Sequence, residues 1–114
     1  IDIWSTIEQH GSSKTMSHMT ECLLDQKDID AVLILFVLMP ESIFDIRVAF
    51  AEVMKRHPHK PILAAYYGGT AKEISHVHEG FGELGVPNYP TPERAMYAFS
   101  RMVEYARFRG FIRR

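Results

Sequence analysis

Two polar segments that directly follow long apolar runs are the best candidates for chemistry in this sequence. Pro40-Glu41-Ser42 comes after the apolar run 31–38, and Gly68-Gly69-Thr70 comes after the apolar run 61–67. Segments of this kind open helices, and the first N–H groups of a helix lack partners and can bind phosphate or another anion. The sequence therefore offers six candidate phosphate-docking residues: Pro40, Glu41, Ser42, Gly68, Gly69 and Thr70.

The histidines do not form a metal-binding pattern. His57 and His59 flank Pro58 in a predicted loop, and His76 and His78 lie two apart on a predicted helix, where they face different directions. Neither pair has the H-x-x-x-H or H-E-x-x-H spacing of zinc sites. We expect surface histidines, no metal site and no catalytic residue.

Several other sites are excluded because their motifs are missing. No G-x-G-x-x-G follows the first apolar run, and the sequence contains no G-x-x-x-x-G-K-[ST] and no G-x-S-x-G, so dinucleotide, P-loop and serine-hydrolase chemistry is not indicated. A phosphoacceptor receiver domain needs an aspartate at the end of its strand, where this chain has Met39-Pro40.

The composition indicates one soluble globular domain. The 114 residues are 46% apolar and 24% charged, with a net charge of −1, which argues against nucleic-acid or membrane partners. Cys22 is the single cysteine, so there is no disulfide framework, and we expect a buried thiol in a cytoplasmic protein. The ends of the sequence suggest that the single domain 1–114 belongs to a larger multidomain chain.

The first half of the chain predicts a loop, a helix, a strand and a second helix. Residues 1–13 indicate a loop and residues 14–26 a helix, and the uninterrupted apolar run 31–38 is typical of a strand covered on both faces. Ser42 is the predicted cap of the next helix, and Asp45 is the third residue after it. The apolar stripe of that helix is Ile43, Ile46, Phe50 and Val53.

The second half repeats this alternation. Residues 61–67 and 86–89 indicate strands, and the T-x-x-E spacing of Thr70 and Glu73 predicts a capping box between them. Thr91 is the predicted cap of a last helix. Its inward face would consist of Ala95, Phe99, Met102 and Ala106.

The order αβαβαβα predicts a small doubly wound parallel sheet of the flavodoxin-like (Rossmann-like) kind, in three αβα layers. Ligands of such sheets bind beyond the carboxyl ends of the strands. Six aromatic residues leave two uses open, core packing for most of them or an interface: Tyr66, Tyr67, Tyr97, Phe99, Tyr105 and Phe108.

Short motifs also follow one another along the whole chain. They are Ile1-Asp2 with Ile3-Trp4, Asp30-Ala31-Val32-Leu33-Ile34, Lys60-Pro61-Ile62-Leu63, Gly68-Gly69, Gly85-Val86-Pro87, Pro92-Glu93-Arg94-Ala95 and Tyr105. In this order the chain resembles the CoA-ligase-type domain of the NDP-forming acyl-CoA synthetase family, which includes ADP-forming acetyl-CoA synthetases and relatives of succinyl-CoA synthetase.

The resemblance implies a part of an acid–CoA ligase. The whole enzyme would catalyse acyl-CoA + ADP + phosphate ⇌ acid + CoA + ATP through a phosphohistidine. This domain would help to form the phosphohistidine site, with one docking helix starting at Pro40-Glu41-Ser42. Alone it would be inactive and bind no cofactor, because CoA, ATP/ADP and Mg²⁺ belong to other parts of the enzyme.

The resemblance also implies partners. These are the CoA-binding, phosphohistidine and ATP-grasp domains or subunits of the synthetase, with a homodimer as a further option. Succinyl-CoA synthetase has a glycine pair where this chain has Pro40-Glu41. The alternatives are therefore a non-catalytic regulatory or interaction domain of the same fold, as in acetyltransferase fusions, and a free small-molecule binder.

Overall fold

Five helices and three strands form along residues 2–38 and 44–113, the part of the chain that the computed structural model describes. In chain order they are α1 (Trp4–His10), α2 (Ser12–Leu24), β1 (Val32–Leu38), α3 (Ile46–Arg56), β2 (Ile62–Gly68), α4 (Ala71–Leu84), β3 (Asn88–Tyr89) and α5 (Pro92–Phe108).

The three strands form one parallel sheet in the order β1-β2-β3. Val32 pairs with Ile62 and Leu38 with Gly68, so β1 and β2 end together. β3 is shorter than predicted and pairs only through Asn88 and Tyr89. The fold is the predicted small flavodoxin-like α/β sheet with helices on both faces.

One face of the sheet is closed by α2, α3 and α4. Alternate residues of a strand share a face, and on this face β1 and β2 contribute buried side chains to a single apolar core with the three helices. Phe81 joins the layers, since its ring centroid lies 5.6 Å from those of Phe36 and Phe50. This face contains Val32, Ile34, Phe36, Leu38, Ile62, Ala64 and Tyr66.

The other face is covered only in part. α5 contacts β2 and β3, and it buries Leu63 and Ala65 beside Ala95. It leaves β1 open, because Leu35 and Val37 are 50% and 48% exposed. The prediction that the first strand is covered on both faces is therefore wrong. An apolar run shows that two faces are suited to burial, but it does not supply the helix that covers the second face.

The start of the chain also differs from the prediction. Residues 4–10 form α1 where a loop was expected, and Gly11, with a φ of 85°, separates α1 from α2. Ile3 and Ile7 pack against the core. Packing of this kind stabilises a short helix whose sequence alone would not hold it.

Caps set the helix starts. Asp45 caps α3 by accepting from the N–H groups of Arg47 and Val48, so the helix begins later than predicted, and the expected cap Ser42 lies outside the described residues. Thr91 caps α5 by accepting from the N–H of Arg94, which confirms the predicted start. On the predicted inward face of α5, Met102 is exposed.

Within the described part of the chain, every helix is too short or too polar to cross a lipid bilayer.

Candidate functional site

The turn between β2 and α4 is built on two glycines in left-handed conformation. Gly68 and Gly69 have φ values of 75° and 82°. Residues that carry a side chain rarely adopt these values. A Cβ on Gly69 would lie 2.6 Å from the Cβ of Leu38. The turn is thus pressed against the end of β1, and glycine is required there.

The start of α4 already holds a carboxylate of its own. Glu73 accepts from the N–H of Thr70 at 2.5 Å, and the N–H of Glu73 donates to Oγ1 of Thr70 at 3.3 Å. This confirms the predicted capping box. Glu73 is only 5% exposed, so its negative charge lies where the helix dipole would favour an incoming anion. Phosphate docking at Gly68, Gly69 and Thr70 stays a prediction.

The other predicted docking residues, Pro40, Glu41 and Ser42, lie outside the described residues. The strand that leads to them ends beside the turn, because Leu38 pairs with Gly68. The register therefore brings the ends of β1 and β2 to one edge of the sheet, where ligands of this fold class bind.

Within the described residues, an apolar groove of about 630 Å³ lies beside β1. The N–H of Val32 donates to the carbonyl of Pro61 on the β2 side. In a parallel pair alternate residues bond to the same neighbour, so the backbone groups of Leu33 and Leu35 point to the groove. Its walls are mostly side chains of α1, α2 and β1, among them Trp4, Ile7, Met19, Leu23 and Leu35.

Most of the six aromatic residues that the sequence assigned either to the core or to an interface are on the surface. Tyr67 is half exposed, and Tyr97, Tyr105 and Phe108 are more exposed still. Tyr66 is buried as a core residue. The expectation that most of these residues pack in the core is wrong for the four exposed ones, and they remain available to an interface.

The histidines differ from one another. His76 contacts the carbonyl oxygen of Phe44 at 2.6 Å, and His59 is exposed. His57 departs from the expected surface position, since its side chain is only 14% exposed and lies between Glu21 and Asp25. The sequence did not reveal this cluster because α2 and the end of α3 meet only in the folded chain.

The thiol of Cys22 is half-buried, which differs from the expected buried position, and lies 3.6 Å from Nε2 of His18. Both residues are on α2, one helical turn apart. The cysteine is far from the strand ends in the sequence and takes no part in the candidate site.

The described residues define the class of protein: a small flavodoxin-like α/β domain with an apolar groove beside β1. No protein-family model, curated protein or solved structure matches the chain. Function is therefore inferred from the chain's own residues and geometry.

Proposed function

We propose that this chain is the CoA-ligase-type domain of an NDP-forming acyl-CoA synthetase and that it docks on the other domains of that enzyme. The whole enzyme would convert acyl-CoA, ADP and phosphate into acid, CoA and ATP through a phosphohistidine. CoA, the nucleotide and Mg²⁺ would be bound by the partner domains, and this domain would shape the phosphohistidine site and the interface.

The uncovered side of the sheet is the observation that carries the docking part of this proposal. Leu35, Val37 and Tyr67 are about half exposed, and they alternate with buried residues on adjacent strands. An apolar sheet face of this kind favours a protein partner, because large exposed apolar patches are uncommon on monomeric proteins. A neighbouring synthetase domain is the occupant that we propose.

The start of α4 supports a more limited role in phosphate docking. Glu73 and Thr70 satisfy each other, whereas within the described residues the N–H groups of Ala71 and Lys72 have no hydrogen-bond partner. These two N–H groups and the exposed ammonium of Lys72 could face a phosphohistidine. The carboxylate of Glu73 opposes tight binding, which suits brief docking during phosphoryl transfer.

The test uses the protein that contains this domain. Incubation with γ-labelled ATP and Mg²⁺ should give an acid-labile phosphohistidine that ADP discharges. Lys72→Glu should slow its formation about tenfold, because the new charge opposes the phosphate at the helix start. Lys27→Glu is the matched control, since Lys27 is an exposed lysine in the loop before β1.

A second candidate function is a non-catalytic interaction domain, which the open face of β1 also favours. Under this alternative, no phosphohistidine forms, and Leu35→Thr still weakens binding to the neighbouring domain. Formation of phosphohistidine with equal rates in Lys72→Glu and the wild type would instead remove α4 from the docking site.

A further inference from the structure

A three-residue cluster lies at the amino-terminal end of the strands, away from Gly68-Gly69-Thr70. Glu21 and Asp25 are one turn apart at the end of α2, and His57 is the residue that ends α3. Nε2 of His57 lies 3.2 Å from Oε2 of Glu21 and 3.2 Å from Oδ1 of Asp25. Three possible ligand atoms thus converge from two separate helices.

Two of these atoms are buried and lack hydrogen bonds. Oε2 of Glu21 and Nε2 of His57 are shielded from solvent, and neither has a hydrogen-bond partner among the residues that the structure describes. They are close to each other but not aligned for an N–H···O bond. A buried polar atom without a partner costs about 1–3 kcal/mol, so this arrangement favours something that bonds to both atoms at once.

Two of the three separations between these atoms fit a four-coordinate metal ion. Zinc binds imidazole nitrogen and carboxylate oxygen at about 2.0–2.2 Å, and two ligand atoms at that distance in a tetrahedron are about 3.4 Å apart. The two 3.2 Å separations are close to this value. An ion could therefore be held with only small shifts of the side chains.

Neighbouring residues hold the ligands in place. Nε of Arg56 donates to Oε1 of Glu21 at 2.6 Å, which leaves Oε2 facing His57. That hydrogen bond raises the pKa of Arg56, with smaller contributions from the nearby carboxylates. Nζ of Lys60 donates to the carbonyls of Leu24 and Gln26, on either side of Asp25. Such supporting contacts orient metal ligands in proteins.

We propose that Glu21, Asp25 and His57 bind one divalent transition-metal ion through Oε2, Oδ1 and Nε2. Imidazole and carboxylate ligands suit zinc, and water would complete the coordination at the exposed side of Asp25. The ion would join the end of α2 to the loop between α3 and β2. This site lies outside the proposed function and does not depend on it.

The experiment is a titration of the metal-free 114-residue chain with ZnCl₂ at neutral pH, measured by isothermal titration calorimetry. We expect one Zn²⁺ per chain and a rise in the melting temperature on binding. His57→Ala should lower the affinity at least about 100-fold, since loss of even a supporting contact costs 10–100-fold. His59→Ala is the matched control, because His59 is exposed and only two residues away.

A second variant separates metal binding from folding. Asp25 is 60% exposed, so Asp25→Asn should keep the native circular dichroism spectrum and still weaken Zn²⁺ binding at least about tenfold. The proposal is overturned if the wild type takes up no stoichiometric Zn²⁺, or if His57→Ala and His59→Ala bind it equally. Either result would leave the contact of His57 with the two carboxylates as the role of this cluster.

Discussion

The two faces of the sheet have similar residues and opposite environments. Ile34 and Phe36 of β1 are buried in the core that the strand shares with α2, α3 and α4, whereas Leu35 and Val37, their neighbours in sequence, are about half exposed. Both sets are apolar and both lie on one regular strand. The difference comes from the helices: three cover one face, and α5 covers only the β2 and β3 part of the other.

This contrast separates stability from interaction. On the covered face, apolar side chains have exchanged water for protein contacts and contribute directly to the free energy of folding. On the open face, the same kind of side chain is still in contact with water. Its burial would contribute to binding a partner, so substitutions on the two faces should have different readouts.

The largest effect should come from the centre of the covered face. Phe50 is fully buried, and its ring centroid lies 5.6 Å from that of Phe81, so Phe50→Ala should lower the free energy of unfolding by about 3–5 kcal/mol. Urea denaturation followed by circular dichroism measures this loss. Phe108→Ala, at an exposed position, should change it by less than about 0.5 kcal/mol. Equal losses in both variants would contradict the assignment of the core.

A smaller effect should appear where two helices of the covered face touch. A Cβ on Gly80 of α4 would lie 2.7 Å from the Cβ of Ile46 on α3, so Gly80→Ala should destabilise the fold by about 1–3 kcal/mol. Gly82, in the same helix, has open space around it. Gly82→Ala should therefore stabilise the chain by about 0.5–1 kcal/mol. Thermal denaturation of the pair tests the sign, and stabilisation by both would show that the helices are less close.

The cap of α4 should have a moderate effect. Thr70→Ala removes the hydroxyl that accepts from Glu73 N–H and should cost about 1 kcal/mol. Thr70→Ser keeps the acceptor, so it should lose much less stability in the same denaturant titration. A cost as large for serine as for alanine would assign the role of Thr70 to its methyl group instead of its hydroxyl.

The smallest effect on stability should accompany the largest effect on association. Leu35→Thr, on the open face, should change the free energy of unfolding by less than about 0.5 kcal/mol and still weaken binding to a partner domain. Ile34→Thr, the matched change on the covered face, should cost at least about 2 kcal/mol because it loses buried apolar area and buries a hydroxyl. Analytical ultracentrifugation with the partner domain, and of the chain alone to detect a dimer, measures association. A large loss of stability in Leu35→Thr would mean that the face is covered.

The sequence was most informative where structure depends on neighbours along the chain. The capping box of Thr70 and Glu73 and the start of α5 at Thr91 were predicted, because a cap acts over three residues. The α/β alternation was predicted because apolar periodicity is also read from neighbours along the chain. α1 was missed, since its stability comes from Ile3 and Ile7 packing on the core and not from a strong local pattern.

The candidate site was predicted only in part. Sequence order placed Gly68-Gly69-Thr70 at a strand end, and the structure shows that Glu73 already occupies the start of α4. The other predicted segment, Pro40-Glu41-Ser42, lies outside the described residues. The cluster of Glu21, Asp25 and His57 was missed, because nothing in the local pattern of α2 indicates that the end of α3 will reach it.

The sequence by itself indicated the α/β alternation from α2 onward and the caps at Thr70 and Thr91, because these follow from residue periodicity and short-range hydrogen bonds. That alternation in turn predicted the parallel sheet. Tertiary structure alone decided that Ile34 is buried and Leu35 exposed, and that His57 meets Glu21 and Asp25. Both outcomes depend on where the chain places its helices relative to the sheet and to one another. That placement is a property of the whole fold, and a strand of uniformly apolar residues carries no local signal for it.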